Sequence, residues 1–374
     1  MNKQSIKLFL IAGETSGDLH GSELIRAIKI YHPNSSFMGH GGDFMKAEGM
    51  QILEHTNSLA IMGFFEVLKH LPKMMNIMNK TIKTIERVKP DRIILIDYPG
   101  FNLRLAKRIK HLNIPITYFI LPQAWAWKEN RVKTMKSIID QSLSILPFEE
   151  DWFKKRGLKT NYVGNPFCEK YHVDETSKEF YIRHNLTIEY PILLLMPGSR
   201  QQEINKHWPI FLKTAKQLKT KIPSLQIIIA KAPNVEISPL PNYIKIETDS
   251  RKAMIVSTAA LVASGTATLE CAVENTPMVV CYKLSRLSWA LAKYIINSKY
   301  VSLVNILANK TIVPELIQKK MNVHNLCDAL TPLLNQKSNE RNKMLSDLRE
   351  IKELLGKPGV YERAANVIIN KTIG

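Results

Sequence analysis

Two stretches of this chain follow one plan, at residues 7–21 (KLFLIAGETSGDLHG) and 191–203 (PILLLMPGSRQQE): an apolar run ends in a glycine-containing turn and passes toward a helix. A buried strand that opens through small residues onto a helix start presents backbone N–H groups at one edge of a sheet. One such segment in each half predicts two α/β domains facing one cleft. The other apolar runs agree. In the first half, residues 8–12, 92–97, 116–121 and 142–146 alternate with helical patterns at 19–31, 66–88 and 103–111. In the second, residues 192–196, 225–230, 259–263 and 278–282 are separated by helical patterns at 204–221 and 268–274. Alternation of this kind gives parallel sheets. The halves are expected to meet near residues 162–185. The charged, helix-favouring stretch 337–371 reads either as a solvated helix pair or as a brace between domains.

A length of 374 residues exceeds the size at which single cores stop growing, so two domains of ordinary size are expected. The chain carries 52 basic and 33 acidic residues, a net charge of +19, which favours nucleic acid, nucleotide phosphates or an anionic membrane surface as partner. No apolar run approaches the ~18–20 residues needed to span a bilayer, which predicts a soluble or peripheral protein. The run at 8–12 is too short for a signal sequence and reads as the first buried strand. Cys168, Cys271, Cys281 and Cys327 are far apart and form no C-x-x-C pair, which argues against a zinc site or a disulfide framework and fits a reducing cytoplasm. The ten histidines show no ligand spacing, so no metal is expected.

Five segments carry candidate chemistry, each with a plainer reading beside it. The turn Gly13-Glu14-Thr15-Ser16-Gly17-Asp18 lacks the G-x-G-x-x-G pattern, and is either an anion or sugar site or a simple βα turn with Asp18 near a helix start. Asp97 closes an apolar run where a parallel sheet exposes its carboxyl edge, as a general base or as a cap. Gly198-Ser199-Arg200 ends another run, and Arg200 either forks onto phosphate or pairs with Glu203. In Ser264-Gly265-Thr266-Ala267-Thr268-Leu269-Glu270, Glu270 accepts a ribose diol or approximates a capping box with Thr266. Met62, Phe64, Phe65 and Leu68 precede an apolar stripe at Leu71, Met75, Met78, Ile82 and Ile85, flanked by Lys69, Lys73, Lys80, Lys83 and Arg87. That stripe suits acyl chains and anionic headgroups, or the packing of an ordinary helix on a sheet. The paired indoles Trp125 and Trp127 would allow base stacking, but no nucleic-acid module accompanies them, and nucleic acid is not expected as a partner.

Read together, AGETSGDLHG at 12–21, GHGGDFMKAEG at 39–49, MGFFEVL at 62–68, IDYPGFN at 96–102, PQAWAWKENR at 122–131, LPFEEDWF at 146–153, PGSRQQEI at 197–204, SGTATLE at 264–270 and YVSLVNILA at 300–308 resemble the lipid-A-disaccharide synthase family over nearly the whole chain. The resemblance implies the GT-B architecture: two Rossmann-like domains with parallel sheets facing a cleft. It divides the chain into an acceptor and lipid-binding domain at 1–165, a UDP-sugar domain at 166–345 and a helical tail at 346–374 bracing them. The implied reaction joins UDP-2,3-diacylglucosamine to 2,3-diacylglucosamine 1-phosphate with inversion, giving a β(1→6) disaccharide and UDP without a cofactor. Asp97 matches the base. Gly13, Ser16, Gly17 and Asp18 match the acceptor loop. Gly198, Ser199 and Arg200 match the diphosphate loop, Thr266 and Glu270 the nucleotide loop, and Asn305 an asparagine near UDP. Met62, Phe64, Phe65 and Leu68 would meet acyl chains at an anionic membrane surface, the cytoplasmic face of the inner membrane. A homodimer is left open. Asn165 stands where the family often has histidine, so no role is assigned to its loop.

Overall fold

The computed structural model describes residues 5–59, 71–126, 128–171, 174–233, 235–285, 289 and 299–373. Met62, Phe64, Phe65, Leu68 and Trp127 lie outside the described residues. The chain forms two compact units, one from the residues up to Glu169 together with those from Lys357 onward, the other Lys170–Gly356. Both are Rossmann-like, as the sequence implies.

The first unit is built on a seven-stranded sheet of β1 (Lys7–Ala12), β2 (Ser36–Gly41), β3 (Gln51–His55), β4 (Arg92–Ile96), β5 (Ile116–Phe119), β6 (Gln141–Ser144) and β7 (Thr160–Tyr162). The strands lie in the order β3-β2-β1-β4-β5-β6-β7, and every neighbouring pair is parallel. Such a sheet is covered on both faces, and its strands alternate between two apolar cores. Leu8, Leu10 and Ala12 of β1 enter one core, against the helices Thr15–Tyr31 and Val360–Ile373, while Phe9 and Ile11 enter the other. Ile94 and Ile96 of β4 join the first core, Ile93 and Leu95 the second.

The helix Val360–Ile373 brings Val360, Ala364, Ala365, Ile368 and Ile369 into the first core, although more than 200 residues separate it from β4. Polar contacts fix its ends. Glu169 accepts from the backbone N–H groups of Gly359 and Val360 at 2.8 and 2.6 Å. The buried Arg92 guanidinium donates to the Thr372 hydroxyl at 2.7 Å and to the Lys371 carbonyl at 2.6 Å.

The second unit carries β8 (Ile192–Met196), β9 (Gln226–Ala230), β10 (Ile244–Glu247), β11 (Ala259–Ala263), β12 (Met278–Tyr282) and β13 (Glu315–Ile317) in the order β10-β9-β8-β11-β12-β13, again all parallel. β2, β3, β7, β10 and β13 fall outside the apolar runs expected to form strands. These strands are short or broken by polar residues and glycine, so none shows the continuous apolar run of a central parallel strand.

The stripe following residue 68 is now partly placed. In the helix Leu71–Val88, Ile77, Met78 and Ile85 are buried in the second core of the first unit, with Ile82 packed against it, whereas Met75 is exposed. Its C-terminal half therefore packs on the sheet. No helix among the described residues is long and apolar enough to cross a membrane.

Candidate active site

In a doubly wound sheet the crevice opens at the carboxyl ends of the two central strands from which the order runs outward in both directions. Those strands are β1 and β4 in the first unit, where Ala12 pairs with Ile96, and β8 and β11 in the second, where Met196 pairs with Val262. One topological rule thus brings the Gly13 turn to Asp97, and the Gly198 turn to the segment 264–270.

Asp97 and Tyr98 both adopt left-handed backbone conformations, with φ of 44° and 48°. Two successive non-glycine residues there cost about 1–3 kcal/mol each and persist only where their surroundings over-determine them. They do here. The Asp97 carbonyl accepts from the Tyr118 hydroxyl at 2.6 Å and from Asn102 Nδ2 at 2.7 Å, and the Asp97 N–H donates to the Phe119 carbonyl at 3.1 Å. The Tyr98 hydroxyl donates to the Leu59 carbonyl at 2.9 Å. Its ring lies flat over Gly13, where a Cβ would come within 2.2 Å of the ring, so only glycine fits. Tyr98, Asn102 and Tyr118 therefore aim Asp97, a role that a lone sequence motif does not disclose.

The half-buried Asp97 carboxyl is raised to about 6 by burial, with the negative charge of Glu14 adding to the effect. A Tyr98 backbone hydrogen bond and the positive charge of Arg131 oppose it. Burial and a like charge are the means by which a carboxylate is made basic enough to take a proton near neutral pH. Glu14 stands at the N-cap position of the helix Thr15–Tyr31 and Arg131 opens the helix Arg131–Ile138, so the two charges near Asp97 come from two different helix starts.

The residues of the Gly13 turn divide. Ser16 is exposed on the first turn of the helix Thr15–Tyr31, and Gly17 packs against Ala12. Asp18 is buried, and its carboxylate accepts from the backbone N–H groups of Gly42 (2.7 Å), Phe44 (3.1 Å) and Met45 (3.0 Å), tying down the start of the helix Asp43–Ala47. Asp18→Ala strips three amides of their acceptor and is expected to lower stability by about 2–3 kcal/mol. Urea unfolding followed by circular dichroism checks this, and an unchanged midpoint would return Asp18 to the ligand side.

In the second unit, Gly198, Ser199, Arg200, Thr266, Glu270 and Tyr282 line a pocket of about 520 Å³. Thr266 makes no side-chain cap; Thr268 instead donates its hydroxyl to the Gly265 carbonyl at 2.8 Å, so the capping-box alternative does not form. The Glu270 carboxyl makes no hydrogen bond to any described residue, and burial raises it. The Arg200 side chain is exposed and pairs with no carboxylate among the described residues, since Glu203 bonds the backbone amides of the turn instead.

Asn305 lies apart from the pocket. Its amide donates to the Val313 carbonyl and to Glu315, both within 2.9 Å, and its oxygen accepts from the Ile312 and Val313 N–H groups. Every hydrogen-bonding position of this buried side chain ties the helix Leu303–Ala308 to residues 312–315. Asn165 is engaged in the same manner, donating to the Ile145 carbonyl and accepting from the Phe167 N–H.

The profile of the Lipid-A-disaccharide synthetase family matches residues 8–368. The chain belongs to this family. A lipid-A-disaccharide synthase of Myxococcus xanthus is 35% identical over 371 residues, covering 97% of each chain. Among solved structures, the glycotransferase of kitacinnamycin superposes with a TM-score of 0.68 at 12% identity, covering 99% of this chain and 100% of that one. The UDP-GlcNAc 2-epimerase of Neisseria meningitidis, bound to UDP-GlcNAc, gives a TM-score of 0.63 at 11% identity with 98% of each chain covered. These distant likenesses establish the GT-B fold, and the family match carries the enzyme class, a glycosyltransferase of lipid A biosynthesis.

Proposed function

We propose that the chain transfers 2,3-diacylglucosamine from UDP to the 6-hydroxyl of 2,3-diacylglucosamine 1-phosphate with inversion, forming the β(1→6) disaccharide and releasing UDP. The carrying observation is the Asp97 carboxyl, aimed by a strained, fully braced turn at the carboxyl edge of the first sheet and raised to about 6. Asp97 takes the proton of the acceptor hydroxyl as its oxygen forms the new bond to the anomeric carbon, and the bond to UDP breaks with its electron pair leaving on the diphosphate. The Arg200 fork suits the departing diphosphate, and Glu270, with two open oxygens in the same pocket, suits the ribose diol. Gly13 and Ser16 border the acceptor.

Incubation with both substrates, followed by mass detection of the disaccharide, tests the assignment. Epimerisation of UDP-GlcNAc with no disaccharide formed would replace it with the chemistry of the structural relative. UDP, and not NAD, should raise the melting temperature.

Both proposed substrates carry acyl chains, which supports peripheral attachment to the cytoplasmic face of the inner membrane through Met62, Phe64, Phe65 and Leu68. A basic chain of net charge +19 favours such an anionic surface. Replacing Phe64 and Phe65 together with serine is expected to weaken partitioning into anionic liposomes at least about tenfold, because each ring forfeits its burial in the acyl region. Flotation of wild type and variant measures it, and equal partitioning would refute the attachment site.

A further inference from the structure

Glu203 stands in the first turn of the helix Gln201–Lys221 with both carboxylate oxygens engaged. Oε2 accepts from the backbone N–H groups of Ser199 and Arg200 at 3.1 and 3.3 Å, and Oε1 accepts from the Tyr282 hydroxyl at 2.8 Å. A second brace lies one turn further along the helix. The buried His207 accepts from the Lys283 N–H at Nε2 (3.1 Å), so its proton sits on Nδ1, which donates to the Pro197 carbonyl at 2.7 Å. Together the two side chains tie both sides of the Gly-Ser-Arg turn to the end of β12. The turn is shaped around this carboxylate: Gly198 has a φ of +132°, and a Cβ there would fall within 2.6 Å of Glu203.

A turn of successive amides at a helix start is an anion cradle, yet here an anion of the chain itself already occupies it. We propose that Glu203 is a positioning residue of the donor pocket: its carboxylate fills the cradle of the Gly-Ser-Arg turn, so that the diphosphate is met by the Arg200 guanidinium and not by the turn's amides. This rests on the donor reading of the pocket. It assigns the two repeated turns of the chain different tasks, the second being a rigid mount for one side chain.

Two measurements on the full chain test it: amide exchange at Ser199 and Arg200 without ligand, by nuclear magnetic resonance, and UDP affinity by calorimetry. Glu203→Ala should speed exchange at both amides at least about tenfold and weaken UDP binding about tenfold, the size of one charge-assisted hydrogen bond. Glu203→Gln, which keeps an oxygen for the amides, should restore both to within about threefold. If Glu203→Ala does not fold, Tyr282→Phe removes one anchor and should cost about threefold in UDP affinity. Unchanged or tighter UDP binding by a folded Glu203→Ala overturns the proposal, as does rapid exchange at both amides in the wild type. Protected amides in a wild type that does not bind UDP would overturn the donor reading, and this inference with it.

Discussion

In Asp97→Asn, disaccharide formation is expected to fall by about 10²–10⁴-fold while UDP affinity stays as in the wild type. The amide cannot accept the acceptor's proton, but the turn survives, because Tyr118 and Asn102 hold the Asp97 carbonyl and not its carboxylate. The loss should therefore appear in kcat, with circular dichroism and the thermal midpoint close to wild type. The wild-type pH profile supplies an independent check. A carboxyl raised to about 6 is protonated below that pH and cannot act as a base, so kcat/KM should climb about tenfold per pH unit up to about pH 6 and level off above it. A profile that stays flat down to pH 5, or an Asp97→Asn variant with full turnover, would place the base elsewhere.

Arg200→Ala should lower kcat/KM for the UDP-sugar by about 10²–10³-fold, the usual consequence of removing a donor aimed at developing negative charge. Arg200→Lys should recover only part of this, since a single ammonium cannot reproduce two parallel N–H donors. Because the side chain is exposed and unpaired with any carboxylate among the described residues, the substitution removes no internal ion pair and should leave stability almost unchanged. Assays varying donor and acceptor separately locate the effect. A defect confined to the acceptor's KM would contradict the assignment.

The central strands and the turns that follow them were legible because β1, β4, β8 and β11 are uninterrupted apolar runs buried on both faces. Asp97 and Gly198 could then be located by position alone, at strand ends. The outer strands were not legible: β2 reads SFMGHG and β13 is three residues long, too short and too polar for periodicity to register. The bonding of individual site residues was hidden for a different reason. Asn305 and Asp18 look like ligand contacts in their strings, but their partners, Glu315 with 312–313 and the amides of 42–45, lie outside those strings. The Arg200–Glu203 spacing allowed an ion pair as the plainer alternative, whereas the carboxylate instead accepts from the backbone N–H groups at its own helix start.

The helix Val360–Ile373 has a consequence for biosynthesis. It supplies Val360, Ile368 and Ile369, each worth about 1.5–3 kcal/mol when buried, together with Tyr361 and the smaller Ala364 and Ala365, to the core beside β1, and it satisfies the buried Arg92. As the ribosome delivers the chain, the residues up to Glu169 emerge first, but their core stays open on one face until 360–373 have also appeared. The second unit, continuous in sequence, has its whole core available earlier. The half synthesised first is thus the half completed last, and in the interval it depends on whatever shields nascent apolar surface in the cell.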